Sequence, residues 1–443
     1  MDAATVDTVT RQHTTTQVIV ADWVVPVVGE PVRHGAVAVV GDRIVAIGDA
    51  AEVLHDAREA QGAGGEVLET ERQGILTPGL VNAHSHLQYT CMAEVGQGVY
   101  EGFEDWSHAF QDLYEQPHDW AASAADGLRI AISTGTTAIS DIVTDAEALR
   151  VLEDGRVHGI AYWELMSWLT DEWSARGRSE TEALLEQAQS RWLGLSPHAP
   201  YSLDTDVIRD LGKLAHERGV RRHMHLAESA WEAEYTQNGT GALADQWRDW
   251  GFADFQLLRR GGSKLRPVPY AESIGALGPT SHVAHGIYTD AADREILRRT
   301  GTVVALCPRS NAVIGLDEAP VADYLREGNA IAVGTDSLSS TPSLDLSGDV
   351  AALAAIARRQ GYNGDDLHRR LFAAATLGGA VAMGLDTGSH RLGALQPGAL
   401  ADFAVFDHEA TTARDVLASL VEGGDGHVTT TIIAGDVRWE AGR

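Results

Sequence analysis

Eight short apolar runs, each followed by a stretch of helical pattern, recur between Leu76 and Leu385 and constrain this chain more than any other feature. They are LVNAHSH (80–86), TTAISDI (136–142), HGIAYWELM (158–166), WLGLSPHAP (192–200), RRHMHLAE (221–228), SHVAHG (281–286), TVVALCPRSN (302–311) and AIAVGTDS (330–337). Between two of them, DVIRDLGKLAHERG (206–219) has the spacing of an amphipathic helix. Eight β-then-α units predict a (β/α)8 TIM barrel rather than an open sheet.

The two ends of the chain read differently. QVIVADWVVPV and GAVAVVGDRIVAIG near the start are strand-like, with Gly41–Asp42 as a hairpin signal. ADFAVFD and TTTIIAGDVRW near the end are β-branched, and GALQPGALAD supplies turns. Strand-rich ends around an α/β middle predict a small β-sandwich domain formed from both chain ends. The expected division is residues 1–76 and 387–443 for that sandwich and 77–386 for the barrel. Residues 231–278 are long for a βα connection and are expected to carry extra structure over the barrel mouth. Trp231, Tyr235, Trp247, Trp250, Arg259 and Arg260 there fit either a lid with stacking surfaces or a locally packed helix pair.

Charge and composition exclude several classes. A net charge of −29 repels nucleic acid and anionic membranes, leaving a small-molecule substrate as the expected partner. No window approaches the roughly 20 apolar residues of a membrane helix. MDAATVDTVTRQHTTTQ lacks the pattern of a signal peptide, so a cytoplasmic protein is expected. The two cysteines, Cys91 and Cys307, make no disulfide framework and read as apolar core residues. Lysine occurs only as Lys213 and Lys264.

Functional groups of a TIM barrel sit at the C-terminal ends of its strands. His84 and His86 close the first run two residues apart, so both imidazoles face the barrel axis. His225 ends the fifth run, His285 the sixth and Asp336 the eighth. Imidazoles and a carboxylate converging from separate strands make an N/O site for a divalent transition metal.

With TPGLVNAHSH (77–86), HLAES (225–229), VAHG (283–286) and GTDS (334–337), the chain resembles the amidohydrolase superfamily, in particular its cytosine deaminase and chlorohydrolase branch. The resemblance implies that His84, His86, His225 and Asp336 bind the metal. Binuclear relatives bridge two metals with a modified lysine or a glutamate at the end of the fourth strand. Lys213 and Lys264 lie elsewhere, so one divalent ion is expected, zinc first and iron as the alternative. Such an ion lowers the pKa of a bound water toward about 7. Asp336 would then take the water's proton. Glu228, at the family's HxxE position, would shuttle a proton to a ring nitrogen and on to leaving ammonia, and His285 would stabilise developing charge.

The same resemblance bears on substrate. SPHAPYS (196–202) and CPRSN (307–311) are similar to segments of enzymes that deaminate adenosine-like nucleosides, aminodeoxyfutalosine, methylthioadenosine and S-adenosylhomocysteine. His198 and Arg309 are the implied substrate contacts, although Arg309 also suits a salt bridge inside the barrel. In EGFEDWSHAF (101–110), Trp106 and an acidic residue, Glu101 or Glu104, are the implied contacts of a closing loop. The expectation is hydrolytic deamination of an adenine-containing nucleoside, 6-aminodeoxyfutalosine or an adenosine analogue, by a homo-oligomer as in many relatives. The alternative is another hydrolysis on the same site: a guanine, cytosine, triazine or cyclic-amide substrate.

Overall fold

All eight runs form strands of one parallel sheet. The computed structural model describes residues 15–61, 65–187 and 192–442. Residues 1–14, which carry most of the signal-peptide argument, lie outside the described residues. The strands in chain order are β1 (Thr16–Val24), β2 (Val32–Val40), β3 (Arg43–Asp49), β4 (Val67–Pro78), β5 (Leu80–Ser85), β6 (Thr136–Val143), β7 (His158–Leu165) and β8 (Leu193–Pro197). They continue as β9 (Arg222–Leu226), β10 (Ser281–His285), β11 (Val303–Leu306), β12 (Ile331–Val333), β13 (Phe403–Phe406), β14 (Val428–Ile433) and β15 (Asp436–Glu440).

Strands β5 to β12 pair in sequence order, each parallel to the next. The segment after β12 closes the ring. The N–H of Asp336 donates to the His84 carbonyl at 2.9 Å, and Thr335 N–H donates to Asn82 Oδ1 at 3.2 Å. The result is a (β/α)8 barrel. Every residue of β5 and β6 is buried, as expected of strands covered on both faces.

Both chain ends join in a second sheet, with strand order β15-β14-β13-β4-β1-β2-β3. Only β1 and β4 run parallel in it. The hairpin at Gly41–Asp42 joins β2 to β3, with Val40 opposite Arg43. Hydrogen bonding runs through all seven strands, so the small β domain expected from both chain ends is built on one mixed sheet that curls on itself. The edge strand β3 bends round until Ile44 N–H donates to the Ala399 carbonyl at 3.0 Å, just before β13. Helix Ala50–Gln61 packs Val53 and Ala57 onto Val18, Val20 and Ala36 of this sheet.

Residues 231–278 fold into four helices, Ala230–Asn238, Ala242–Asp249, Gln256–Arg260 and Pro267–Ser273. Trp247 packs against Phe252 and Phe255 there, and Arg259 and Arg260 are exposed. Among the described residues no helix is long and apolar enough to cross a membrane.

The barrel interior is more polar than the usual branched aliphatic filling. The His223 ring stacks on His84 with centroids 4.8 Å apart and meets His282 at 4.7 Å. Asp141, on β6, accepts the Leu87 N–H at 2.9 Å, and its other oxygen has no partner among the described residues. Burial pushes its carboxyl up to about 8. The folded state therefore holds a proton that the unfolded chain releases near pH 4. Stability from this group is complete below about pH 4 and is lost as pH rises through about 8. Asp141→Asn is expected to flatten that decline and raise Tm at pH 8 by about 3 °C. Thermal melts of both proteins between pH 5 and 9 check this, and parallel Tm curves would contradict it.

Candidate active site

The polar residues expected at strand ends meet at the C-terminal mouth of the barrel. His84 lies one residue before the end of β5, His86 follows the strand, His225 lies in β9, and His285 closes β10. Asp336 comes three residues after β12. His84 Nε2 and His86 Nε2 lie 3.5 and 3.6 Å from Asp336 Oδ1. The ring centroid of His84 is 4.9 Å from that of His225 and 5.4 Å from that of His285. His285 and Asp336 adopt left-handed backbone conformations, φ 73° and 63°, which L-residues with side chains rarely take. Such strain at strand ends directs their side chains inward over the site.

Hydrogen bonds fix which ring atoms face the centre. His225 Nδ1 lies 3.0 Å from the His198 carbonyl, so it donates there and Nε2 keeps its lone pair. His285 Nδ1 donates to Asn311 Oδ1 at 3.1 Å. Asp336 Oδ2 accepts from Ser310 Oγ at 2.7 Å, and Oδ1 accepts the Ser337 N–H at 2.8 Å. Burial lowers all four histidines below their ordinary 6.5, taking His86 to about 3, so each is neutral and able to ligate. Burial alone would raise Asp336, but the imidazoles facing it, His84 first, hold it well below the usual carboxylate range.

A divalent cation fits this arrangement. His84 Nε2 and His285 Nε2 are buried with no hydrogen-bond partner among the described residues, which is costly unless something else occupies them. Two sets, His84/His86/Asp336 and His84/His225/His285, each bring their ligand atoms within 4.8 Å of one another, and His84 belongs to both. A third set, Glu164/His198/His225, is equally compact. It is the weaker cage, because His225 Nδ1, 3.7 Å from Glu164, already donates to the His198 carbonyl. Lys213 and Lys264 are exposed and do not line the site.

Glu228 follows a left-handed turn at Ala227 (φ 54°) that carries the chain from β9 toward helix Ala230–Asn238. Its N–H donates to Glu232 Oε2 at 2.9 Å, and its Oε1 lies 3.6 Å from His285 Nε2. Burial, then the charge of Asp336, pushes its carboxyl up to about 8. Glu228 is therefore protonated at neutral pH while Asp336 is ionised.

These groups form the floor of a cavity of about 470 Å³. His198 lines it, its Nδ1 paired with Ser202 Oγ at 2.9 Å. Trp106 lines it too, anchored by donation from Nε1 to the Ser339 carbonyl at 2.9 Å. From residues 231–278, Leu243, Gln246, Trp247 and Trp250 reach the cavity wall.

Two expected contacts are not brought there. Glu101 and Glu104 are exposed and outside the lining, because the helix Phe103–Tyr114 turns its aromatic side inward. Arg309 also lies outside the cavity. Its Nε donates to Asp349 at 3.0 Å, Nη1 to Asp425 at 2.8 Å, and Nη2 to the carbonyls of Ser343 and Asp345 at 3.2 and 2.6 Å. A guanidinium so saturated ties the barrel to the C-terminal segment and leaves no donor for substrate. Removing one partner of a buried ion pair is strongly destabilising. Arg309→Ala is expected to cost about 3 kcal/mol of stability and to leave KM unchanged, as denaturant melts and steady-state kinetics would report. A raised KM with unaltered stability would reverse that assignment.

The CPRSN segment instead serves the site through its neighbours, Ser310 on Asp336 and Asn311 on His285. Glu164 was not anticipated either. It lines the cavity from the end of β7, and burial raises its carboxyl to about 8 although Ser196 Oγ donates to it at 3.3 Å.

A model of the amidohydrolase family matches residues 75–438. The 5-methylthioadenosine/S-adenosylhomocysteine deaminase of Nitratidesulfovibrio vulgaris (strain Miyazaki F) is 28% identical over 438 residues, covering 93% of this chain and 89% of that protein. An adenosine deaminase structure from Xanthomonas campestris with bound zinc aligns with a TM-score of 0.76 and 24% identity, covering 96% of this chain and 93% of that one. The Helicobacter pylori aminofutalosine deaminase complexed with methylthio-coformycin aligns with a TM-score of 0.79 and 19% identity, covering 96% and 100%.

Proposed function

The chain belongs to the amidohydrolase family, and from that premise we propose that it is a hydrolytic deaminase of an adenine-containing nucleoside. One observation carries the reading: Glu228 and Asp336 line the same cavity beside the histidine cluster, Glu228 Oε1 3.6 Å from His285 Nε2 and Asp336 Oδ1 3.5 Å from His84 Nε2, with burial raising the first carboxyl and the second held low. Two carboxyls driven to opposite protonation states supply an acid and a base together. The deaminase named above, similar over nearly the whole chain, supports it.

His84, His86, His225 and Asp336 would hold one divalent cation, for which the zinc in the Xanthomonas relative is a precedent. Such a cation makes water acidic enough to attack near neutral pH. Asp336 takes the proton of the attacking water as its oxygen bonds to the aminated ring carbon. Glu228 gives its proton to the adjacent ring nitrogen, which makes that carbon electrophilic. His285, fixed by Asn311 with its Nε2 lone pair toward the site, accepts from the attacking water and steers it. The added hydroxyl then returns its proton to Glu228 as the exocyclic C–N bond breaks, the electron pair leaves with nitrogen, which takes the proton held by Asp336 and departs as ammonia, and the ring nitrogen keeps the proton it received. The ring keeps the oxygen. His198 and Trp106 hold the base and sugar, and Glu164 accepts hydrogen bonds from substrate hydroxyls.

The test is ammonia release by the metal-loaded protein on a panel of 6-aminopurine nucleosides, with triazine, guanine, cytosine and cyclic-amide substrates alongside. Turnover confined to those other substrates would replace this reading with the alternative.

A further inference from the structure

The cavity continues outward from the histidine floor into a gallery of rings. On helix Phe103–Tyr114, Phe103, Trp106, Phe110 and Tyr114 follow helical spacing and form one stripe. None of the residues of that helix is buried; Phe110 and Tyr114 meet the Tyr89 ring, Tyr114 stacks on Trp120 and Phe103 meets Trp231, and all four residues of the stripe line the cavity. Trp168 and Trp247 also line the cavity, from the loop after β7 and from helix Ala242–Asp249.

The charged groups along this wall have one sign. Among the described residues no arginine or lysine lines the cavity, whereas Glu164 and Glu180 do. The cation at the rim, Arg176, is already engaged. Its guanidinium lies over the Trp168 ring, 4.6 Å from the centroid, and pairs with Glu180 at 3.2 Å. An anionic group carried into the gallery would lose its water beside Glu180 and find no arginine or lysine among the described residues of the wall. An uncharged ring or alkyl chain would lose water to aromatic faces on several sides, which is favourable.

We propose that the gallery is a subsite for a bulky, uncharged, apolar substituent on the substrate, and that it rejects tails ending in a carboxylate. This rests on the nucleoside-deaminase reading, in which the 5′ position can carry a tail without loss of the 2′ and 3′ hydroxyls. It selects neutral 5′-alkyl- or 5′-aryl-substituted adenosines over carboxylate-tailed nucleosides such as S-adenosylhomocysteine and 6-aminodeoxyfutalosine.

The experiment compares kcat/KM of the metal-loaded enzyme on adenosine, 5′-deoxy-5′-(phenylthio)adenosine and its 4-carboxyphenylthio analogue, which differs by one charged group. The phenylthio compound is expected to exceed the carboxylated one at least about tenfold and to exceed adenosine. Trp168→Ala should lower kcat/KM for the phenylthio compound more than for adenosine. Equal or better turnover of the carboxylated analogue would overturn the proposal and assign Arg176 to an anionic tail. Adenosine turned over as well as the phenylthio compound would overturn it while leaving the deaminase reading intact. Silence on all three would remove both.

Discussion

Glu228→Gln is expected to lower kcat about a thousandfold while bound metal and Tm stay at the wild-type level. Glutamine keeps the length of the side chain and its place beside His285, 3.6 Å away in the native protein, but has no proton to give. The exchange is gentle on the fold because the native carboxyl, pushed up to about 8 by burial, is already neutral at pH 7. Only the transfer to the ring nitrogen is lost. The measurement pairs steady-state kinetics with metal analysis and a thermal melt of the same sample. A variant within about tenfold of wild-type kcat would mean that ring protonation is not limiting, as expected for expulsion of a better leaving group than ammonia. A variant that had lost its metal would instead make Glu228 part of the cation site.

The strand ends were legible because the period of two and the barrel rule together assign a direction to each side chain. His84 and His225 lie within strands and follow from both rules; His86 and Asp336 lie past the ends of β5 and β12, and His285 turns inward on a left-handed backbone, so for these three only the barrel rule applies. Glu164 could have been found the same way. It shares parity with Tyr162, whose ring meets His282 inside the barrel at 5.4 Å. The exposure of Glu104 was also open to reading, since Phe103, Trp106, Phe110 and Tyr114 define the inward stripe of their helix. Arg309 was not. It begins a helix after β11, where direction depends on partners distant in sequence, Asp349 and Asp425. Nothing local distinguishes an arginine that holds the chain together from one that holds a ligand. The curl of the terminal sheet was hidden for a similar reason, because it depends on pairing between β3 and residues before β13.

Removing the metal is expected to abolish turnover and also to lower Tm, and the second effect separates a built metal site from an incidental one. Without a cation, His84 Nε2 and His285 Nε2 are buried among neutral rings with no hydrogen-bond partner among the described residues. A cation that binds only the folded state stabilises it by about 2.7 kcal/mol at a hundred times its Kd, and more when bound more tightly. The metal-free protein should also respond to acid. Its site histidines are depressed, with His86 at about 3, so the unfolded chain takes up protons first as pH falls below the ordinary 6.5. Stability from these groups is present above about 6.5 and is lost as pH falls toward about 3. Chelation followed by melts between pH 5 and 8 should show a Tm deficit at every pH, with the Tm of both forms falling toward pH 5. One equivalent of zinc per chain should restore both Tm and turnover. Full activity in protein shown by metal analysis to be free of cation would be fatal to the mechanism. Restored turnover with no change in Tm would mean that the cation binds without relieving the buried imidazoles, and that its ligands lie outside the histidine cluster.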